Sequence, residues 1–152
     1  AEKLVKAARF APKGERGICR YVRAADYTFS EKDKYFTNSN QETLVIAHIE
    51  GMDGVNNLDE ILSTDLDIIF IGPYDLSSSL GMPGQVDHPE VFEKIEEICE
   101  KAKEAGVLVG TFADTIEKAK FYRDLGISYV SLSVDVGLIA EKARDTVDGF
   151  TA

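Results

Sequence analysis

The chain is poor in cysteine, in cationic residues and in long apolar runs, and each shortage removes a class of function. Its two cysteines, Cys19 and Cys99, lie far apart and in no paired spacing. That pattern fits neither a zinc cage nor a disulfide framework. Cys99 falls on the apolar side of a predicted helix, which suits a buried free thiol. Lys and Arg number 17 against 27 Asp and Glu, giving a net charge of -10. So acidic a surface argues against nucleic acid or an anionic membrane as partner. It leaves room for a cation-dependent site, and for an anionic substrate where a metal or local positive group offsets the field. No apolar run approaches the ~20 residues of a membrane span, and no signal peptide opens the chain. Low-complexity tracts, a Gly-Lys-Ser/Thr phosphate loop, a dinucleotide glycine fingerprint and a Ser/His/Asp nucleophile set are also missing. A reducing cytoplasm is the expected compartment. The chain begins with Ala rather than Met, as a processed product or a piece of something longer would.

What is there is a regular alternation. The 152 residues, 44% hydrophobic, suffice for one domain with a sizeable core. Residues 1–10 carry Leu4, Val5, Ala8 and Phe10 at helical spacing, and Pro12 and Gly14 stop that helix. A long connection over 11–41 holds three arginines, Arg16, Arg20 and Arg23, and a short helix over 32–40. The arginines suit loop salt bridges or an anion contact.

From residue 43 the spacing predicts a strand over 44–49, a short helix over 55–62, a strand over 67–71 and a loop over 72–86. Asp87 and Glu90 are spaced as a capping box around Pro89. The helix they open has an apolar stripe of Val91, Ile95, Ile98, Cys99, Ala102 and Ala105 and stops at Gly106. A strand over 107–111, a helix over 115–125 capped by Asp114, a strand over 128–133 and a helix over 136–147 complete the chain. Strands apolar on both faces belong to a parallel sheet covered by helices. With right-handed crossovers two α/β architectures remain: a small doubly wound sheet, or four consecutive units forming half of a (β/α)8 barrel. A complete barrel needs at least ~200 residues. Residues 1–41 read as the tail of a preceding unit, which favours the half-barrel.

The chemistry concentrates at two strand ends. Glu50 ends the first strand, and Asp75 follows the second in Gly72-Pro73-Tyr74-Asp75-Leu76-Ser77-Ser78-Ser79. Alone, either acid suits a loop or a helix cap. Together they occupy equivalent places at the C-terminal ends of successive strands, where α/β proteins build their sites. Parallel neighbours lie ~4.8 Å apart, close enough for two carboxylates to share one hard divalent cation. Gly72 and Pro73 form a turn that aims the Tyr74 and Asp75 backbone N–H groups at an anion such as a substrate carboxylate. A further turn, Gly81-Met82-Pro83-Gly84, borders the same mouth.

Alternation puts His48 on the side of its strand that Glu50 takes. There it would contact a substrate oxygen, move a proton or ligate the metal, unless it is a satisfied core histidine. His88 reads as structural at a helix start, and Asp135 as a helix N-cap at the same rim.

These stretches carry a resemblance. Residues 8–17 (ARFAPKGERG), His48-Ile49-Glu50-Gly51, Phe70-Ile71-Gly72-Pro73-Tyr74-Asp75-Leu76-Ser77 and Ser131-Leu132-Ser133-Val134-Asp135 resemble the C-terminal part of the HpcH/HpaI aldolases. The resemblance covers essentially the whole chain but only the later part of that family's barrel. It implies a (β/α)8 barrel that reversibly cleaves 4-hydroxy-2-oxo acids to pyruvate and an aldehyde. It implies Glu50 and Asp75 as ligands of magnesium, manganese or cobalt. It also implies the backbone of Gly72, Pro73, Tyr74 and Asp75 as the contact to the pyruvate carboxylate. Two departures accompany it. His48 stands where the family commonly has Gln, and the family's catalytic histidine and carboxylate-binding arginine lie in an earlier half that nothing here matches. The expected partners are therefore a 2-oxo acid and either further copies of the chain or a missing N-terminal half. The competing readings are a non-catalytic α/β module with a vestigial site and a CoA-ester lyase on a related barrel.

Overall fold

The computed structural model describes residues 1–28 and 32–151, so residues 29–31 of the predicted connection lie outside the described part. Four short strands form one parallel sheet in the order β1 (Ile46–Ile49), β2 (Ile68–Ile71), β3 (Leu108–Ala113), β4 (Tyr129–Leu132). Ile fills five of the eight positions of β1 and β2, because branched side chains pack well on a pleated surface. Between and around the strands run α1 (Glu2–Ala8), α2 (Lys32–Glu42), α3 (Met52–Asn56), α4 (Leu58–Leu62), α5 (Pro73–Ser79), α6 (Pro89–Ala105), α7 (Ile116–Asp124) and α8 (Asp135–Thr151).

The helices bury one face of the sheet. Ile49, Ile69, Ile71, Val109 and Ala113 point into a core completed by Val55, Leu58, Leu76, Tyr122 and the α6 stripe Val91, Ile95, Ile98 and Ala102. Burying side chains of this size is worth ~1.5–3 kcal/mol each. Gly106 ends α6 with φ at +71°, a conformation that favours glycine. Of the predicted stripe, Cys99 is half-buried and Ala105 exposed.

The opposite face is open, as half of a barrel is expected to leave it. Register places His48, Phe70, Gly110 and Tyr129 side by side across the four strands. The His48 ring stacks on Phe70 with centroids 4.9 Å apart, and Phe70 meets Tyr129 at 5.9 Å. Gly110 makes that last contact possible: a Cβ there would lie 2.8 Å from Tyr129 Cδ1 and 2.9 Å from Phe70 Cδ2. His48 and Tyr129 nevertheless remain exposed, and so does Leu108. Among the described residues β1 and β4 each pair on one side only. Helix α8 buries none of its residues and leaves Val136, Leu138, Ile139, Val147 and Phe150 exposed. No helix among the described residues is long and apolar enough to cross a membrane.

The N-terminal segment is pinned to the entrance of β1 and β2 by one buried cation. Arg9 donates to the Asn40 and Thr43 carbonyls and, at 2.8 Å, to Asp67 Oδ2, which also accepts from the Val45 N–H. The Asn40 side chain closes on the Phe10 backbone at both its N–H and its carbonyl. Arg16 lies over the Phe10 ring and reaches Ser39 Oγ, so one of the three loop arginines has a packing role.

Four local expectations need correction. The stretch 55–62 is not one helix: the chain breaks at Asn57, whose amide donates back to the Asp53 carbonyl. The loop over 72–86 contains α5, a serine-rich helix opened by Pro73 that composition alone would not favour. Helix α6 is capped by His88 Nδ1, which accepts from the Glu90 N–H at 3.3 Å, because the Asp87 carboxylate is taken by Lys118. Helix α7 is capped by Thr115 Oγ1, at 3.2 Å from the Lys118 N–H, and not by Asp114. Asp114 has another partner, at the strand ends.

Candidate functional site

Because β1 and β2 are parallel and in register, Glu50 and Gly72 leave the sheet at the same end, one residue beyond the Ile49–Ile71 pair. The Gly72 N–H donates to the Ile49 carbonyl at 3.2 Å and holds that last rung. Glu50 is exposed at the mouth, and His48 Nδ1 stands 3.2 Å from its Oε2. Gly72 faces it: a Cβ at Gly72 would lie 3.0 Å from Glu50 Cβ and 3.3 Å from Glu50 Oε2. The missing side chain is the space in which the Glu50 carboxylate sits.

Pro73 starts α5 because its locked φ suits a first helical residue and its lack of an N–H costs nothing there. Asp75 then falls in the first turn, where the helix dipole favours a negative group, and it points to solvent at the same rim. The Tyr74 and Asp75 N–H groups belong to the first turn and have no partner within the helix. Glu50 and the Gly72-Pro73-Tyr74-Asp75 turn thus leave adjacent strands at the same end of the sheet, with His48 two residues before Glu50 on β1.

Three side chains brace α5. Tyr74 donates its hydroxyl to Asp114 Oδ2 at 2.7 Å, across to the loop after β3. That hydrogen bond, then burial, then the Asp114 charge hold the Tyr74 phenol above its ordinary pKa. Ser77, fully buried, donates to the Tyr74 carbonyl at 2.7 Å and accepts from the Gly84 N–H at 3.1 Å, closing the Gly81–Gly84 turn onto the helix. Ser79 Oγ accepts from the Met52 N–H at 2.9 Å, in the loop after β1. None of these roles was read from the sequence. The serine run was visible, but what its hydroxyls meet is decided between segments.

The other sequence candidates stand apart from this chemistry. His88 caps α6 as described. Asp135 lies in the first turn of α8, where Oδ1 accepts from the neighbouring Val136 N–H at 2.7 Å. It serves its own helix.

The donor set suits a hard cation. Magnesium and manganese take few protein carboxylates and keep positions for water and substrate, so two acids at one mouth, with a glycine making room, fit such an ion. Among the described residues no three of His, Cys, Asp and Glu form a group that would hold a metal by themselves. Water and substrate oxygens would have to complete the coordination.

The chain is 34% identical over 151 residues to a 5-keto-4-deoxy-D-glucarate aldolase of Enterobacter sp. (strain 638), covering 99% of this chain and 58% of that protein. It is 31% identical to a hydroxypyruvate/pyruvate aldolase of Pseudomonas aeruginosa, at 99% and 56% coverage. The chain therefore spans under two thirds of the length of these relatives. A crystal structure of an HpcH/HpaI aldolase/citrate lyase family protein from Burkholderia cenocepacia J2315 superimposes with a TM-score of 0.90 at 32% identity, over 97% of this chain and 59% of that one. The four parallel strand–helix units are those of the C-terminal half of a (β/α)8 barrel, and the open aromatic face is the side that such a barrel turns inward. The family's sequence model matches residues 1–141, and on that match the chain belongs to the HpcH/HpaI aldolase/citrate lyase family.

Proposed function

We propose that this chain carries the metal-binding rim of a class II pyruvate aldolase, a lyase that cleaves 4-hydroxy-2-oxo acids to pyruvate and an aldehyde. The observation that carries the reading is that Glu50 and the turn bearing Asp75 leave adjacent parallel strands at the same end, with Gly72 leaving space for the Glu50 carboxylate. The names of the relatives point the same way, since they are aldolases acting on sugar-derived or pyruvate-type substrates. Glu50 and Asp75 would hold magnesium, manganese or cobalt. When bound, the ion supplies Lewis-acid charge to the oxygen that turns negative as the carbon–carbon bond breaks.

The chain's own groups do the rest of the work at this mouth. The Tyr74 and Asp75 N–H groups would meet the carboxylate of the 2-oxo acid and set its orientation. His48 has Nδ1 turned to Glu50, so Nε2 is the nitrogen left to hydrogen-bond a substrate oxygen or move a proton there. No segment of this chain matches those that carry the family's catalytic histidine and carboxylate-binding arginine, which the resemblance puts in an earlier half. Loss of a general base costs ~10²–10⁴-fold. The open sheet face, the two unpaired strand edges and the bare α8 support a working form completed by further protein, either more copies of this chain or an N-terminal half.

Titration with Mn²⁺, followed by calorimetry, tests the reading: Glu50→Ala and Asp75→Ala should each abolish most of the binding. Unchanged affinity in either variant would overturn the assignment. The family description also names citrate lyase, which keeps a CoA-ester lyase as the second reading. Turnover of a CoA thioester, and not of a free 4-hydroxy-2-oxo acid, by the completed barrel would select it.

A further inference from the structure

We infer that Ser79 and Tyr74 are positioning residues that set the separation of the two metal-binding carboxylates, an inference that rests on the metal-site reading above. Helix α5 has seven residues, too few to be stable unaided in water. Its only charged side chain is Asp75. The placement of that carboxylate is therefore as good as the anchoring of the helix.

The anchors lie at its two ends and on different neighbours. At its C-terminal end, Ser79 Oγ accepts from the Met52 N–H at 2.9 Å. Met52 is the first residue of α3 and stands two residues after Glu50. Its N–H is one of the donors a helix start leaves unmatched, so the Ser79 hydroxyl caps α3 from another segment. A closed ring results: Glu50 to Met52 along the chain, across the hydrogen bond to Ser79, and back through one helical turn to Asp75. At the N-terminal end, Tyr74, adjacent to Asp75, donates to Asp114 at 2.7 Å and ties the helix to the loop after β3. Three successive loops of the rim are thereby linked through one short helix. Buried Pro73, Leu76 and Ser77 hold the helix to the core, so losing either tether frees one end of α5 while the helix stays packed.

Neither Ser79 nor Tyr74 need touch the ion to affect it. Partners that orient metal ligands typically change affinity 10–100-fold when removed. Ser79→Ala and Tyr74→Phe should each weaken Mn²⁺ binding by the full-length chain about 10-fold, with little change in thermal midpoint. Asp114→Ala should match Tyr74→Phe, and the double variant Tyr74→Phe/Asp114→Ala should lose no more than either single one, because both remove the same bond. Asp114→Asn keeps a carbonyl acceptor for the tyrosine, and Ser79→Thr keeps the hydroxyl. Both should retain near wild-type affinity.

Glu50→Ala serves as the reference. If it abolishes binding while Ser79→Ala and Tyr74→Phe bind as wild type, the positioning role is refuted and the metal site stands. If affinity falls only in step with the thermal midpoint, and the conservative variants fail to restore it, the residues are structural and the inference falls. If Glu50→Ala binds Mn²⁺ as tightly as wild type, the metal-site reading fails and this inference fails with it.

Discussion

Replacing Gly72 by alanine should separate binding from folding at this site. The Gly72 backbone has φ -98° and ψ 92°, a negative φ at the edge of the extended region that alanine reaches with a small adjustment. The new methyl would sit 3.0 Å from Glu50 Cβ and 3.3 Å from Glu50 Oε2. Carbon–carbon contacts are optimal at ~3.5–4.0 Å, so Glu50 or the turn must yield by ~0.5 Å or more. Metal coordination tolerates ~0.2 Å, and the displacement is at least twice that. Folding stability should change much less. Alanine is worse than glycine at a helix N-cap by roughly 1 kcal/mol, and the less flexible unfolded chain returns ~0.4–1 kcal/mol. The expected result is a fall in Mn²⁺ affinity of about tenfold or more, measured by calorimetry, with a thermal midpoint within ~4 °C of wild type. A Gly72→Ala protein that folds and binds Mn²⁺ as tightly as the parent, while Glu50→Ala does not, would refute the claim that Gly72 makes room for a ligand.

Three further outcomes follow from the packing and the titrations. Gly110→Val should destabilise the fold by ~1–3 kcal/mol, read by urea unfolding, since even a Cβ meets the Phe70 and Tyr129 rings below 3 Å. Asp67→Ala should cost ~3 kcal/mol or more by the same measurement, because it strips the buried Arg9 of its carboxylate and Val45 of its acceptor. Burial, followed by the Glu96 and Glu100 charges, pushes the Cys99 thiol up to about 11 from 9.0, and burial, followed by the Asp114 charge and Tyr74, pushes Tyr122 up to about 12 from 10.0. Both groups are neutral when protonated and release their protons later in the folded chain than in the unfolded one. Their contribution is complete below pH 9 and is lost as pH rises through 9 to 12. Alkaline unfolding should therefore begin above pH 9 and shift upward in Tyr122→Phe relative to wild type, and Cys19 should alkylate well before Cys99 at pH 8.

The strand–helix rhythm was legible because branched apolar runs, an i, i+3, i+4 stripe and glycine stops are local signals. Helix α6 shows this most clearly: Val91, Ile95, Ile98 and Ala102 are buried and Gly106 takes a positive φ. Local spacing misassigned the caps. Asp87 and Asp114 both have the chemistry of an N-cap, yet Lys118 and Tyr74, distant in sequence, claim their carboxylates, and His88 and Thr115 cap instead. The same limit hid α5, whose serines are poor helix formers until Met52, Gly84 and the Tyr74 carbonyl engage them.

By itself the sequence determined a parallel α/β chain with Glu50, Asp75 and a glycine turn at successive strand ends, because strand direction follows from the alternation of elements and strand ends follow from where the apolar runs stop. Tertiary structure alone decided that Gly110 admits an aromatic row across the open sheet face, and that Ser79 and Asp114 hold α5 at both ends. Those outcomes depend on which residues face one another across strands and loops, and that is set by register and packing, which no local window of sequence contains.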